Sequence, residues 1–538
     1  MTTSESHEHL PAQTGGDRHA EGASLNTLRP NTLTFPTIVV LCIAAIAPAA
    51  SMLFNVPVMA SQAGASVALV FVLASIGILL LSVSVVYFAR RLSSAAGFST
   101  WIRHGLGAGA SFQAGWLLLG GYGLFEAALQ STVGGSLDPL LSGVGFHLPG
   151  GWMTYALLLT LIVGVLSYFS ITTSIWIMAP FAVLEVLALI ILDVAITLRG
   201  GVSGHDLLHP FTPAGALIKG VAPGGTLGIG IAMALGILAF VGFETAAVYG
   251  EEAKSPIRTI PRAVVALIVG LAILYTWTAY CATIGVGWQH AGTVLGNVAN
   301  VPQQYLTLAT TFVGSWLGVA LVIFVITSNF ASAFAMHQAM VRYCYDLGRT
   351  GIFPRIFGRT HPRWKSPFVA SIAQSLFSLL LIGFLGLVLQ HANPDGSSSY
   401  ALGFADGRYW QQTNGTVSFG WLASIVTMCI LLVYLLTNVA APCFARRRNE
   451  LRLLPHVLAP VGSTLLLLLP LASYIGPTLP GSIGAMFTRL GFAPTPFPSN
   501  ILPLFVLLWV VIGSIYAAFL KRRHPEQYEQ MGRIVRSE

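Results

Sequence analysis

Ala47-Pro48-Ala49-Ala50-Ser51-Met52 and Phe240-Val241-Gly242-Phe243-Glu244 are two short interruptions, each set inside a long apolar stretch. Pro48 removes a backbone donor and its small neighbours leave the surrounding amides open, while Gly242 relaxes the helix beside a carboxylate. Such a break matters only if its surroundings are a membrane, and the rest of the chain says that they are. Of 538 residues, 55% are hydrophobic and 9% charged, with a mean hydropathy of +0.75. Soluble proteins carry about 25% charged residues, and no soluble fold hides so much apolar surface. Apolar stretches near the length that crosses a bilayer, about 20 residues, recur along nearly the whole chain.

The apolar stretches predict twelve spans, at 36–61, 64–88, 110–136, 152–170, 174–198, 225–248, 263–285, 311–343, 367–390, 418–443, 456–475 and 499–520. Residues 1–35 are polar and lack the basic segment, short apolar run and cleavage site of a signal peptide, so a disordered tail is expected there, with a second tail at 521–538. An even count puts both ends on one side. With that side cytoplasmic, the exterior basic residues are Arg199, Lys219, Arg408 and Arg489, and 23 of the 27 Lys and Arg fall inside. The net charge of +8 is therefore a signal of topology in a multi-pass protein of the cell membrane, with the bilayer as partner and no reason to expect nucleic acid.

Several chemistries are excluded. A P-loop, G-x-x-x-x-G-K-(S/T), needs a lysine after glycine, and none of Lys219, Lys254, Lys365 and Lys521 has one. Neither G-x-S-x-G nor H-E-x-x-H occurs. The five cysteines fall in or at the ends of apolar segments without a C-x-x-C pair, so no disulfide framework or metal site is expected, nor a cofactor. His104, His290 and His391 are scattered by this topology, against a membrane-embedded enzyme. A secondary transporter is expected, with a channel as the other alternative. In transporters built from inverted repeats, helices broken at corresponding places in the two halves mark a substrate site at the midplane, and spans 1 and 6 offer that pair.

Four stretches then resemble one family, the amino acid, polyamine and organocation superfamily of permeases. Gly242-Phe243-Glu244, followed by Glu251-Glu252-Ala253-Lys254-Ser255-Pro256-Ile257-Arg258-Thr259-Ile260-Pro261-Arg262, is similar to the family's span 6 and the loop after it. Ser94-Ala95-Ala96-Gly97-Phe98-Ser99-Thr100-Trp101 resembles the loop after span 2, and Arg342-Tyr343-Cys344-Tyr345-Asp346-Leu347-Gly348-Arg349 the end of span 8. Ala50-Ser51-Met52-Leu53-Phe54 through Pro57 aligns with the span 1 motif G-S-G-x-F-x-x-P, with Ala50 and Met52 where relatives often have glycine. The resemblance implies an all-α polytopic fold with a five-plus-five inverted repeat, 36–198 and 225–443, two further helices over 456–520, and alternating access. It also implies a site at the breaks, formed by Ala49, Ala50, Ser51, Met52, Phe240, Val241 and Gly242, where free amides receive a carboxylate and free carbonyls an ammonium. Many sodium-independent members place a lysine midway along span 5; the residue aligned there is Glu185.

Four of the nineteen acidic residues lie within spans, and an acid kept in a membrane marks a functional site by default. Glu126, in a glycine-rich part of span 3, is expected to contact substrate. Glu185, with no basic residue in its own helix, suits a proton carrier, and Glu244 is expected to join it in coupling. Asp193, near Arg199, is expected to be a solvated acid at the exterior interface. Three intramembrane acids without an intramembrane Lys or Arg lean the pocket of this amino acid or amine transporter towards cationic or amine-bearing solutes and towards proton coupling, with a neutral amino acid also open. Exchange, or sodium held by hydroxyls such as Ser328 or Ser332, stays open, as does the oligomeric state.

Overall fold

The computed structural model describes residues 31–530 apart from 93–96, 143–144, 170, 218–224, 251, 298–302, 389, 393–397, 401–414 and 490–498. The tails at 1–30 and 531–538, Ser94–Ala96, Lys219, Glu251 and Arg408 lie outside the described residues. The chain is a multi-pass helical membrane protein. Helical segments stand at each expected place: α1 Phe35–Ala63, α2 Val67–Ala89, α3 Ala108–Ser142, α4 Trp152–Tyr168, α5 Ile171–Arg199, α6 Gly225–Leu238 continuing after a break as Thr245–Val248, α7 Pro256–Val286, α8 Ser315–Arg349, α9 Phe368–Val388, α10 Gly415–Arg447, α11 Leu454–Thr478 and α12 Leu502–Arg523. Among the described residues, nine are long and apolar enough to cross a membrane. The expectation of twelve spans is therefore not confirmed: α4 and the first part of α6 are short apolar helices, and α3, although 35 residues long, is not among the nine. The stretch expected as one span at 311–343 divides instead into Gln303–Phe312 and α8, parted at Gly314 with φ +143°. A two-stranded antiparallel ladder pairs Gln390 with Tyr400 and Ala392 with Ser398, and an isolated parallel bridge joins Leu33 to Ala253.

Local chemistry sets where the helices start and stop. The hydroxyl of Thr37 accepts from the Thr34 amide at 2.6 Å, and a proline stands in the first turn of α1. Pro256 does the same for α7. Packing divides the bundle. One group is α1, α2, α6 and α7; the other is α3, α4, α8 and α9, with α10 laid along α3. α5 bridges them, touching α1, α7 and α8. Helices that share lipid rather than water gain no hydrophobic drive from contact, so small residues let them approach. α3 and α12 show this twice over. The indoles of Trp116 and Trp509 stack 4.5 Å apart, and each Nε1–H donates to the other residue's carbonyl at 2.9 Å. Each ring lies on a glycine of the opposite helix: a Cβ on Gly120 would stand 2.6 Å from Trp509, and one on Gly513 2.5 Å from Trp116.

Asp193 is not the solvated acid that the sequence suggests. It is fully buried, its Oδ2 accepting from the Thr278 hydroxyl of α7 at 2.5 Å. α7 covers the face that hydropathy alone left open.

Candidate functional site

α1 is broken where the sequence places the break. Ala47 takes a left-handed conformation, φ +54°, Pro48–Ala50 form a single turn, and Ser51–Asn55 widen into a π-turn before the helix resumes. The Ser51 hydroxyl donates to the Ile46 carbonyl at 2.9 Å, and that of Ser332, from α8, donates to the Ala45 carbonyl at 2.5 Å. Carbonyls freed by the break are thus partly satisfied by hydroxyls, as a non-helical backbone within a membrane requires. α6 breaks at Ala239–Glu244, with Gly242 at φ +121°. A Cβ there would lie 2.8 Å from the Ile46 side chain and 3.0 Å from the backbone of Ala45 and Ile46, so the two breaks are in direct contact.

Between them lies a narrow cavity of about 20 Å³, room for little more than one water. Ala50, Ser51 and Val241 line it, as the sequence predicts. Apolar walls come from Phe54, Phe125, Leu129 and Phe419, and polar ones from Asn55, Thr132, Asn329 and Ser332. No charged side chain lines it among the described residues. Ala49, Met52, Phe240 and Gly242 are buried around the breaks but stand behind this lining; Phe240 packs edge-on against Tyr275 at 5.4 Å. The lining residues that sequence reasoning missed carry weak signals. Asn55 lies one helical turn after Ser51, and Thr132 two turns after Phe125, each on a shared helix face.

The acids are placed differently from one another. Glu126 is fully buried but off the cavity. Its Oε1 meets Gln130 Nε2 at 2.8 Å and His337 Nδ1 at 3.0 Å, and its Oε2 accepts from Gln374 at 2.6 Å, so the carboxylate ties α3 to α8 and α9. A neighbour on a helix points about 100° away, which is why Phe125 and not Glu126 faces the cavity. Glu244 folds back on its own break, accepting from the Gly242 amide at 2.9 Å, Tyr434 of α10 at 2.9 Å and Tyr122 of α3 at 3.2 Å. Glu185 is buried where α5 meets the α1 break. Its carboxyl faces the Ala49 amide and the Ser328 hydroxyl, and among the described residues its Oε2 and Ser328 Oγ have no hydrogen-bond partner within bonding geometry.

At one end of the bundle, below the α6 break, Glu252 accepts from Arg342 Nε at 2.9 Å and Nη2 at 2.7 Å, with both side chains buried. The Glu252 carbonyl also accepts from the amides of Thr32 and Leu33 ahead of α1. These contacts tie three segments together at the end of the bundle nearest the basic clusters. Among the described residues, no group of His, Cys, Asp or Glu is arranged to hold a metal ion.

A family model described as amino acid permease matches residues 37–530. The branched-chain amino acid permease BcaP of Lactococcus lactis subsp. cremoris (strain MG1363) is 25% identical over 354 residues, 62% of this chain and 73% of that protein. The low-affinity putrescine importer PlaP of Escherichia coli (strain K12) is 31% identical over 148 residues, 27% of this chain and 31% of that protein. A crystal structure of MhsT in complex with L-phenylalanine aligns with a TM-score of 0.49 and 16% identity, covering 82% of this chain and all of that one.

Proposed function

The chain belongs to the amino acid permease family of secondary transporters, and from that premise we propose that it carries a neutral amino acid with an apolar side chain, by alternating access and together with a proton. One observation carries the substrate class: among the described residues, the lining of the cavity between the two breaks holds hydroxyls, amides and aromatic rings but no charged group. A zwitterion's two charges can be met by backbone amides and carbonyls at broken helix ends, aided by the helix dipole. A side-chain ammonium would need a carboxylate, and Glu126 and Glu244 are held by other partners. The similarity to permeases named for branched-chain amino acids supports the same class. In this reading the earlier lean towards cationic solutes gives way, because the buried acids are structural ties and a coupling group rather than a substrate pocket.

Coupling falls to Glu185, which touches the break through Ala49 and whose Oε2 lacks a partner among the described residues, as Asp193 Oδ1 does beside α7. The repeats run over 36–198 and 225–443, and both ends of the chain lie in the cytoplasm of a cell whose outer limiting membrane holds the protein, as the distribution of basic residues supports. Uptake into proteoliposomes tests the reading. Labelled leucine, isoleucine and valine are expected to accumulate when a pH gradient is imposed, and lysine and putrescine are not. Accumulation of lysine or putrescine in preference to leucine would overturn the substrate class, and accumulation that needs sodium in place of a pH gradient would overturn proton coupling.

A further inference from the structure

Where α2 ends and the α10–α11 connection crosses it, the bundle opens a second cavity of about 630 Å³. It lies at the end that carries the basic clusters, away from the transport site, and Arg90, Arg91, Glu450, Arg452, Tyr87 and His456 are among its walls. The charges do not cancel. Glu450 is shared by Arg91, at 2.8 Å, and Arg448, at 3.2 Å, and also accepts from Tyr87 at 3.0 Å. The guanidinium groups of Arg90 and Arg452 make no hydrogen bond or ion pair among the described residues, and both are exposed. His456 accepts at Nδ1 from the Arg452 amide at 3.0 Å, which puts its proton on Nε2 and adds a donor to the same wall.

The positive-inside rule explains why arginines gather at this end, but not why two are left unpaired around a cavity. Nor does it explain the apolar stripe that begins at the cavity's edge. Leu454, Leu458, Val461, Leu465 and Leu468 are exposed along α11, spaced at three and four residues, so they form one continuous outward face. Leu451, which lines the cavity, and the exposed Leu453 add to it. A basic recess at headgroup depth, continuous with an apolar track running into the hydrocarbon, fits a ligand with an anion at one end and acyl chains at the other. We propose that this recess is a binding site for an anionic phospholipid, its phosphate held by Arg90 and Arg452 and its chains laid along the α11 stripe. Arginine suits the task because its planar fork meets phosphate oxygens with two donors, and basic pockets between spans are a known form of headgroup recognition.

The full-length protein in neutral detergent tests this by thermal unfolding in the presence of mixed micelles containing phosphatidylglycerol, phosphatidylcholine, or inorganic phosphate without lipid. Phosphatidylglycerol is expected to raise the midpoint saturably, and phosphatidylcholine to leave it near the lipid-free value. In an Arg90→Gln/Arg452→Gln variant, half-saturation by phosphatidylglycerol is expected to weaken by roughly tenfold or more, since both cationic forks that meet the phosphate are lost. An Arg522→Gln/Arg523→Gln variant, which removes the same charge from the end of α12, is expected to keep the wild-type response. An Arg90→Lys/Arg452→Lys variant, which keeps the charge but loses the fork, is expected to respond in between. The proposal is overturned if the Arg90/Arg452 variant folds and keeps the full response. It is also overturned if the Arg522/Arg523 variant loses as much, or if inorganic phosphate alone reproduces the shift.

Discussion

Gly242 is the residue at which the smallest change should do the most harm. Its φ of +121° belongs to glycine, and an added Cβ would meet backbone atoms of Ala45 and Ile46 that cannot rotate away. Gly242→Ala is expected to cost on the order of 3 kcal/mol and to lower the unfolding midpoint together with transport; a variant as stable as wild type would show that the breaks can part without loss. Ser51→Leu acts differently, because Ser51 borders the cavity and its substitution fills it, so binding is expected to vanish while the protein stays folded. Glu185→Gln keeps shape and fixes the neutral form. Substrate binding and exchange in proteoliposomes should persist, and accumulation driven by a pH gradient should be lost; full gradient-driven accumulation would remove Glu185 from coupling. The breaks at Ala50, Ser51 and Val241 and the intramembrane position of Glu185 were legible in the sequence, because proline, glycine and a carboxylate inside an apolar stretch are visible without a fold. The facing of Glu126 and the burial of Asp193 were not, since each depends on which helix lies opposite: α8 and α9 for the first, α7 for the second.

Among the elements, the segment ahead of α1, the loop after the α6 break and the end of α8 are drawn together by Glu252 and Arg342. Losing one partner of a buried ion pair leaves the other charge uncompensated, at a cost of about 3–5 kcal/mol. Glu252→Gln is therefore expected to favour opening at this end. A cysteine replacing Asn329 at the cavity should then react faster with a small impermeant thiol reagent applied from that side; an unchanged rate would show that the ion pair does not hold the end closed. Most element boundaries followed from hydropathy to within seven residues, the divided stretch at 311–343 apart, because the bilayer rewards length and apolarity alone. α3 and α4 show where that signal fades: the first is diluted by glycines that let α10 and α12 approach, the second is short. Helix neighbours were not legible, as an apolar surface reads the same whether it meets lipid or another helix.

For the whole molecule, the basic residues predict which face meets the cytoplasm. Four of the five native cysteines are buried and Cys443 is half-buried, so background labelling should be low. A cysteine at Val202, exposed in the connection after α5, is expected to react with an impermeant reagent added outside intact cells, and one at Arg448 only after the membrane is opened. The reverse pattern would invert the assigned orientation. The α3–α12 contact has a consequence of another kind. Two indoles stacked 4.5 Å apart at 18° share their electronic excitation, so the pair should contribute two circular-dichroism lobes of opposite sign that neither ring gives alone. That signal would make the docking of α12 visible in unlabelled protein, and its disappearance in Trp509→Phe would identify the source.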